Sequence, residues 1–363
     1  MQPNYEQMKQ SIEAKRGMYQ IFRSYESGCE LILALRELGL AYDRNGEPRV
    51  GMNYIMEAKE IAAELLSRGE KRAEKDLVRI TNDAAAIYMG AGALGGAQTS
   101  LEEAASHAEA WVAREETLDS LEALCTTYDN RGHLSMRAGY PYDALDHFAK
   151  AEEAAFRRLG LDKESHDNFL NYSVILCHLA EAKQAARDID GALQDFENAF
   201  SALDTAADAP VAHRRAAVGV CRRIAAILQS RGQHGEAASR LQTAVNLADG
   251  VIVEDDSTET LREATLSYFA LGRLKDAEGS GLESRMFLMK AVSFARQNAD
   301  RHGTPTAKDD LAVALCTWGE LFRDRASVED AIAVWTALSE QYPENRTYQQ
   351  KMGYAQNVLA RLG

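Results

Sequence analysis

The stretch LCTWGELFRDRASVEDAIAVWTALSEQYPEN, residues 315–345, sets Leu315, Trp318, Gly319 and Phe322 at helical spacing, then Ala331, Trp335 and Leu338 at helical spacing, and closes on Pro343. This pattern predicts two helices joined by a turn. Small residues at Gly319 and Ala331 let the two helices approach closely, and the large residues fill the space between them. A hairpin of this kind leaves one apolar face uncovered, and only a stacked neighbour can bury it.

The neighbours are in the chain. With Gly319 as a marker, the same offsets recur at Gly39, Ala85, Gly132, Ala180, Ala225 and Gly272, with successive differences of 46, 47, 48, 45, 47 and 47 residues. Twelve residues after the markers stand Gly51, Ala97, Ala144, Ala192, Ala237, Ser284 and Ala331, all small. Punctuation agrees: Pro48 and Pro141 fall inside hairpins, Pro210, Pro305 and Pro343 between or after them, and Pro3 before the first helix. Asn45-Gly46, Gly95-Gly96 and the glycines of 232–235 and 279–281 mark further turns, and Ser327 with Asp330 reads as a helix start. No stretch shows sustained strand alternation.

The spacing resembles the tetratricopeptide repeat, W-x2-L-G-x2-Y, then A-x3-F, then P. A period of about 47 exceeds the roughly 34 residues of the standard repeat, so the long-repeat members are the nearer match. Segment 157–180, with Leu159, Gly160, His166 and Asn171, resembles the kinesin-light-chain type of repeat junction. Segment 80–88, with Asn82 and Tyr88, resembles the first-helix signature of the same class, Asp83 standing where a second asparagine is found. No heptad coiled coil precedes the repeats.

The expected fold is all-α, a right-handed superhelical solenoid of about seven hairpins over 28–343, with capping helices in 1–27 and 344–363. Residues 4–27 read as one amphipathic helix burying Tyr5, Met8, Ile12, Met18, Ile21, Phe22 and Tyr25. At the other end Tyr348, Met352, Tyr354, Val358 and Leu359 are the expected buried residues.

The resemblance implies an interaction module whose concave groove, lined by first helices, binds a partner peptide or protein segment. Groove positions lie three residues before and one after each marker. They include Arg36, Asn82, Asp129 and Arg222, and His133, Glu181 and Arg273. Arg79 lies one turn further back, Arg215 two turns before Arg222, and Asn130 beside Asp129. Arg79, Arg215 and Arg222 suit a carboxylate, and Asn82 and Asn130 suit a bound backbone. The competing reading is that these arginines pair with acids across the repeat interface.

Composition narrows the partner. Lys plus Arg number 41 against 55 Asp plus Glu, a formal charge of −14. That balance argues against nucleic acid and anionic membranes and suits a basic or neutral polypeptide. The local basic cluster His213, Arg214, Arg215, Arg222 and Arg223 lacks interleaved aromatics. The start has no apolar core of signal-peptide length, and no stretch reaches the roughly 18 apolar residues of a membrane span. Cys29, Cys125, Cys177, Cys221 and Cys316 are scattered without a CxxC pair. A cytoplasmic protein with reduced thiols is expected; its oligomeric state is left open.

Catalytic motifs are missing: no GxxxxGK[ST], GxSxG, HExxH or GxGxxG occurs. The Gly-rich segment 89–99 reads as a turn. The eight histidines are dispersed, and Asp129 with His133 reads as an ordinary i, i+4 hydrogen bond. Glu254, Asp255 and Asp256 read as a solvated loop. No enzyme, cofactor or metal is expected. The alternatives are a peptide-sensing regulatory receptor acting through a separate output partner, and an α-solenoid enzyme.

Overall fold

A computed structural model of the chain describes residues 4–206 and 208–362, and among them every regular element is an α-helix. Helix α1 (Tyr5–Phe22) precedes seven antiparallel hairpins. These are α2 (Tyr25–Arg44) with α3 (Pro48–Ser67), α4 (Ala73–Gly90) with α5 (Leu94–Arg114), α6 (Leu118–Ala138) with α7 (Pro141–Leu161) and α8 (His166–Ala185) with α9 (Ile189–Ser201). Then come α10 (Val211–Ser230) with α11 (His234–Glu254), α12 (Thr258–Ala277) with α13 (Gly281–His302), and α14 (Pro305–Phe322) with α15 (Arg325–Gln341). Helix α16 (Arg346–Leu362) ends the series. The chain divides between Asp195 and Phe196 into two compact units. In the first, α2, α4, α6 and α8 touch in succession; in the second, α10, α12 and α14 do, with α16 against α14 and α15.

The marker positions are where helices meet most closely. A Cβ on Gly39 would stand 2.9 Å from the Gly51 carbonyl oxygen, so α2 and α3 touch backbone to backbone. At Gly132 the ring of Phe148, 1% exposed, takes the space of the missing side chain. In the first hairpin Leu35, Leu38, Ile55 and Leu65 are fully buried. Each such leucine or isoleucine stabilises the hairpin by about 2 kcal/mol relative to leaving it in water.

Several local expectations are corrected. Residues 4–27 are not one helix: Arg23 is left-handed at φ 46° and Ser24 caps α2 through the Ser27 amide. Ending α1 there leaves Met18, Ile21 and Phe22 exposed, while Ile12 and Tyr19 are buried. Likewise α15 starts at Arg325, not Ser327, because Arg323 turns left-handed and Asp324 accepts from the Ser327 amide. Gly95 and Gly96 lie in the first turn of α5, and the reversal falls on Gly92 at φ 74°. Of the consensus aromatics, Trp335 is buried at 2%, whereas Tyr88, Trp318 and Phe322 are half-buried. Tyr354 is exposed, and its hydroxyl donates to Glu320. Pro3 lies outside the described residues.

Candidate functional site

In the first unit, residues from three successive first helices enclose a cleft of about 340 Å³. Arg36 comes from α2, Lys75, Arg79, Asn82 and Asp83 from α4, and Asn130 from α6. Positions 75, 79, 82 and 86 of α4 share one face because they recur every three or four residues. Ala86 and Ala123 keep the cleft open where a longer side chain would fill it.

A polar ladder runs along this face. The residue three before one marker bonds to the residue two before the next. Arg36 pairs with Asp83, its Nη2 donating to Oδ1 at 3.3 Å. Asn130 Nδ2 donates to Asn82 Oδ1 at 3.0 Å. His178 Nδ1 lies 2.7 Å from Asp129 Oδ1. Asn82 is buried, and its own Nδ2 donates to the Val78 carbonyl at 3.0 Å and Thr127 Oγ1 at 2.8 Å. Its amide therefore holds Asn130 in place at the cleft wall.

Most charges lining the cleft are matched. Lys75 reaches Asp119 at 2.6 Å, and Glu122 reaches Arg158 at 3.3 Å. Arg79 differs: among the described residues it has no hydrogen bond and no ion pair within 4 Å, and its charge acts on Asp76 and Asp83 only at longer range. A guanidinium so placed presents its planar donors to a carboxylate.

The remaining expected residues fall elsewhere. Asp129, His133 and His178 gather one repeat beyond the cleft, with Glu181 close enough to act on His133. The expected Asp129–His133 hydrogen bond is replaced: Asp129 bonds to His178, and His133 Nε2 stays 3.6 Å from Asp129 Oδ2. The histidines are thus not all dispersed, since the ladder brings residues of neighbouring repeats together.

Arg215, Arg222 and Arg273 belong to the second unit. Arg215 pairs with Asp255 at 3.0 Å, Arg222 with Glu263 at 3.1 Å, and Arg273 is exposed. Here the cross-repeat pairing reading describes Arg215 and Arg222. The acidic run is no plain solvated loop either. Glu254 pairs with Arg214 at 2.8 Å, Asp256 pairs with Arg301, and Asp255 accepts from Ser257 and Thr260 at the start of α12. Those hydrogen bonds, Thr260 foremost, pull the Asp255 carboxyl below its ordinary value.

Another device went unread in the sequence. Tyr268 on α12 donates to Asp249 on α11 at 2.7 Å and receives Lys290 of α13 at 2.9 Å. Tyr128 on α6 makes the same clasp with Glu109 and Lys150. An acid 19 residues before a tyrosine and a lysine 22 after it, found twice, was the available signal.

Burial sets the acidity beside the cleft. Asp76, 6% exposed, accepts from the Tyr25 hydroxyl at 3.1 Å. Desolvation raises its carboxyl above 3.8 despite Tyr25 and the nearby Arg79, Lys75 and Arg36. The folded state therefore takes the proton more readily than the unfolded chain, so this group's contribution to stability falls as pH rises from 3.8 through the raised value. Asp76→Asn, which keeps an acceptor for Tyr25, is expected to raise the melting temperature at pH 7. The gain should vanish toward pH 4 in calorimetric scans. A lower melting temperature at pH 7 would mean that attraction to the neighbouring cations outweighs desolvation.

A second cleft, of about 530 Å³, lies among α5, α6 and α7, lined in part by Gln98, Arg131, Tyr140 and His147. It takes in none of the residues expected to bind. No helix among the described residues is long and apolar enough to cross a membrane.

No family model and no curated protein matches the chain. Among solved structures it is similar to the apo form of RapI, at 11% identity and a TM-score of 0.61 over 99% of this chain and 94% of that one. It is also similar to BtubC (BKLC) from P. vanneervenii, at 15% identity and a TM-score of 0.55 over 68% of this chain and 90% of that one. At such identities the likeness is one of fold. Together with the seven hairpins at a near-constant period, it identifies the architecture. The fold is a tetratricopeptide-like α-solenoid. In the tetratricopeptide-like first unit, the cleft on α2, α4 and α6 is lined by residues of three successive first helices.

Proposed function

We propose that this chain is a non-catalytic interaction module whose cleft on α2, α4 and α6 binds a polypeptide segment by a carboxylate held on Arg79. The observation that carries this reading is the unmatched guanidinium of Arg79 in a cleft whose other cations are ion-paired. Asn130, held by Asn82, supplies a polar group beside it, and Ala86 and Ala123 leave room for a short side chain. Prealigned helices lower the ordering cost of binding an extended partner. A carboxylate at the contact is compatible with a partner that is otherwise basic or neutral, as the net charge of −14 favours. Five cysteines outside any disulfide, four of them buried, suit a reducing compartment such as the cytoplasm.

The test is a selection from a random peptide library displayed with free C-termini, using wild type, Arg79→Lys and Arg79→Glu as baits. Wild type is expected to enrich peptides with an acidic residue or terminal carboxylate, and Arg79→Glu to weaken them at least 30-fold, on the order of 2 kcal/mol. Arg79→Lys should fall between, since it keeps charge but loses the fork. Resynthesis with an amidated terminus separates terminal from side-chain recognition. Equal enrichment by wild type and Arg79→Glu, both with unchanged helical content, sinks the assignment.

A further inference from the structure

The ladder accounts for one histidine and leaves another over. Each of its steps needs two residues, and the third step is complete with Asp129 and His178. His133 takes no part in that step, yet its ring centroid lies 4.4 Å from that of His178 at an interplanar angle of 71°. The equivalent positions, one after the other markers, hold Leu40, Ala86, Glu181, Ala226, Arg273 and Glu320, so nothing in the repeat requires an imidazole there. Helix geometry puts it over Asp129, four residues earlier on α6, while α8 brings His178 from the next repeat.

We propose that Asp129, His133 and His178 form a site for a divalent first-row transition metal ion, with Zn²⁺ the best fit. One donor atom from each residue can be chosen so that all three lie within 4.8 Å of one another. Two ligands of a tetrahedral zinc ion, each about 2.0–2.1 Å from it, are about 3.3 Å apart. The observed 2.7 Å between His178 Nδ1 and Asp129 Oδ1 and 3.6 Å between His133 Nε2 and Asp129 Oδ2 lie on either side of that spacing. Small rotations of side chains, without movement of either helix, bring the three donors around one ion. Two imidazoles and a carboxylate favour zinc and its neighbours over magnesium or calcium, which take oxygen ligands.

The surroundings suit such an ion. Phe148, 1% exposed, packs its ring against both imidazoles, at 5.3 Å from His133 and 5.7 Å from His178, and gives the site an apolar floor. His133 keeps 42% of its side chain accessible, which leaves an entry path from solvent. On binding, the proton on His178 Nδ1 moves to Nε2 through solvent, and the bond to Asp129 gives way to two bonds to the ion. Glu181, three residues after His178 on α8, adds negative charge close to His133. Three protein ligands leave a fourth position for water or an incoming anionic group.

The test is calorimetric titration of the chelator-stripped full chain with ZnCl₂, beside His133→Gln, His178→Gln and, as a control, His234→Gln at the exposed first residue of α11. Wild type and the control are expected to bind one equivalent with micromolar or tighter affinity, and each site variant to lose at least tenfold. Bound Co²⁺ should give the visible absorption of a four-coordinate site in wild type and lose it in both variants. His133→Gln leaves the ladder intact, so its folding is secure and its result alone decides if His178→Gln fails to fold. No saturable binding by wild type, or binding by His133→Gln within twofold of wild type, overturns the proposal.

Discussion

Gly51→Ala is expected to destabilise the first hairpin by about 3 kcal/mol, although it adds a single methyl group. A Cβ at this position would collide with the Gly39 carbonyl oxygen and stand 3.3 Å from the Asp43 amide nitrogen. Both neighbours are backbone of α2, so no rotamer change relieves the clash. The two helices must separate, and separation opens the packing of Leu35, Leu38, Ile55 and Leu65, each fully buried. Gly96→Ala offers the contrast: its Cβ would meet the Tyr88 ring at 3.0 Å, and a half-buried ring can swing aside. Gly17→Ala, with nothing within 4 Å inside α1, should stabilise by roughly 0.5–1 kcal/mol through helix propensity. Because each repeat leans on its neighbours only, amide exchange in Gly51→Ala should accelerate in α1, α2 and α3 far more than in the second unit. Thermal melts and peptide-resolved exchange check both parts. A melt unchanged by Gly51→Ala would show that the helices part at little cost and that the small residue twelve after the marker is not a packing constraint.

The hairpins were legible because close packing leaves a strict trace. Where two helices pack closely a small residue is needed, and small residues return at 39 and 51, 132 and 144, 319 and 331. Helix ends were less legible where the chain reverses on an arginine. Arg23, Arg187 and Arg323 adopt positive φ without a glycine to announce it, so the break after α1 and the start of α15 were misplaced. For the cleft, counting along one helix found Arg79 and Asn82, because both lie on one stripe of α4. His178 could not be found that way. Its link to Asp129 depends on the register in which α6 and α8 stack, a shift of one residue between neighbours that a single repeat does not contain. The same register decides which acid each arginine meets, so Arg36 with Asp83 and Arg222 with Glu263 emerged only from the structure.

Trp335→Ala is expected to cost about 4 kcal/mol, within the range for emptying a buried aromatic site. Trp335 is 2% exposed and packs in one cluster with Leu311, Leu315, Leu338, Tyr348 and Val358 of α14, α15 and α16. Its Nε1 donates to Asp309 Oδ1 at 2.8 Å, and Lys351 of α16 reaches Asp309 Oδ2 at 2.6 Å. One indole therefore fills the space between three helices and fixes the carboxylate that ties the last of them down. Trp335→Phe separates these roles: it keeps most of the ring, leaves one carboxylate oxygen without its donor, and should cost only about 1–2 kcal/mol. The damage in the alanine variant should stay local, since α16 is the last described helix and packs against α14 and α15. Amide exchange should rise across α14, α15 and α16 while α10 and α11 keep their protection. A uniform rise through the second unit would instead mean that its hairpins unfold together, with coupling between neighbours stronger than the stability of any one of them.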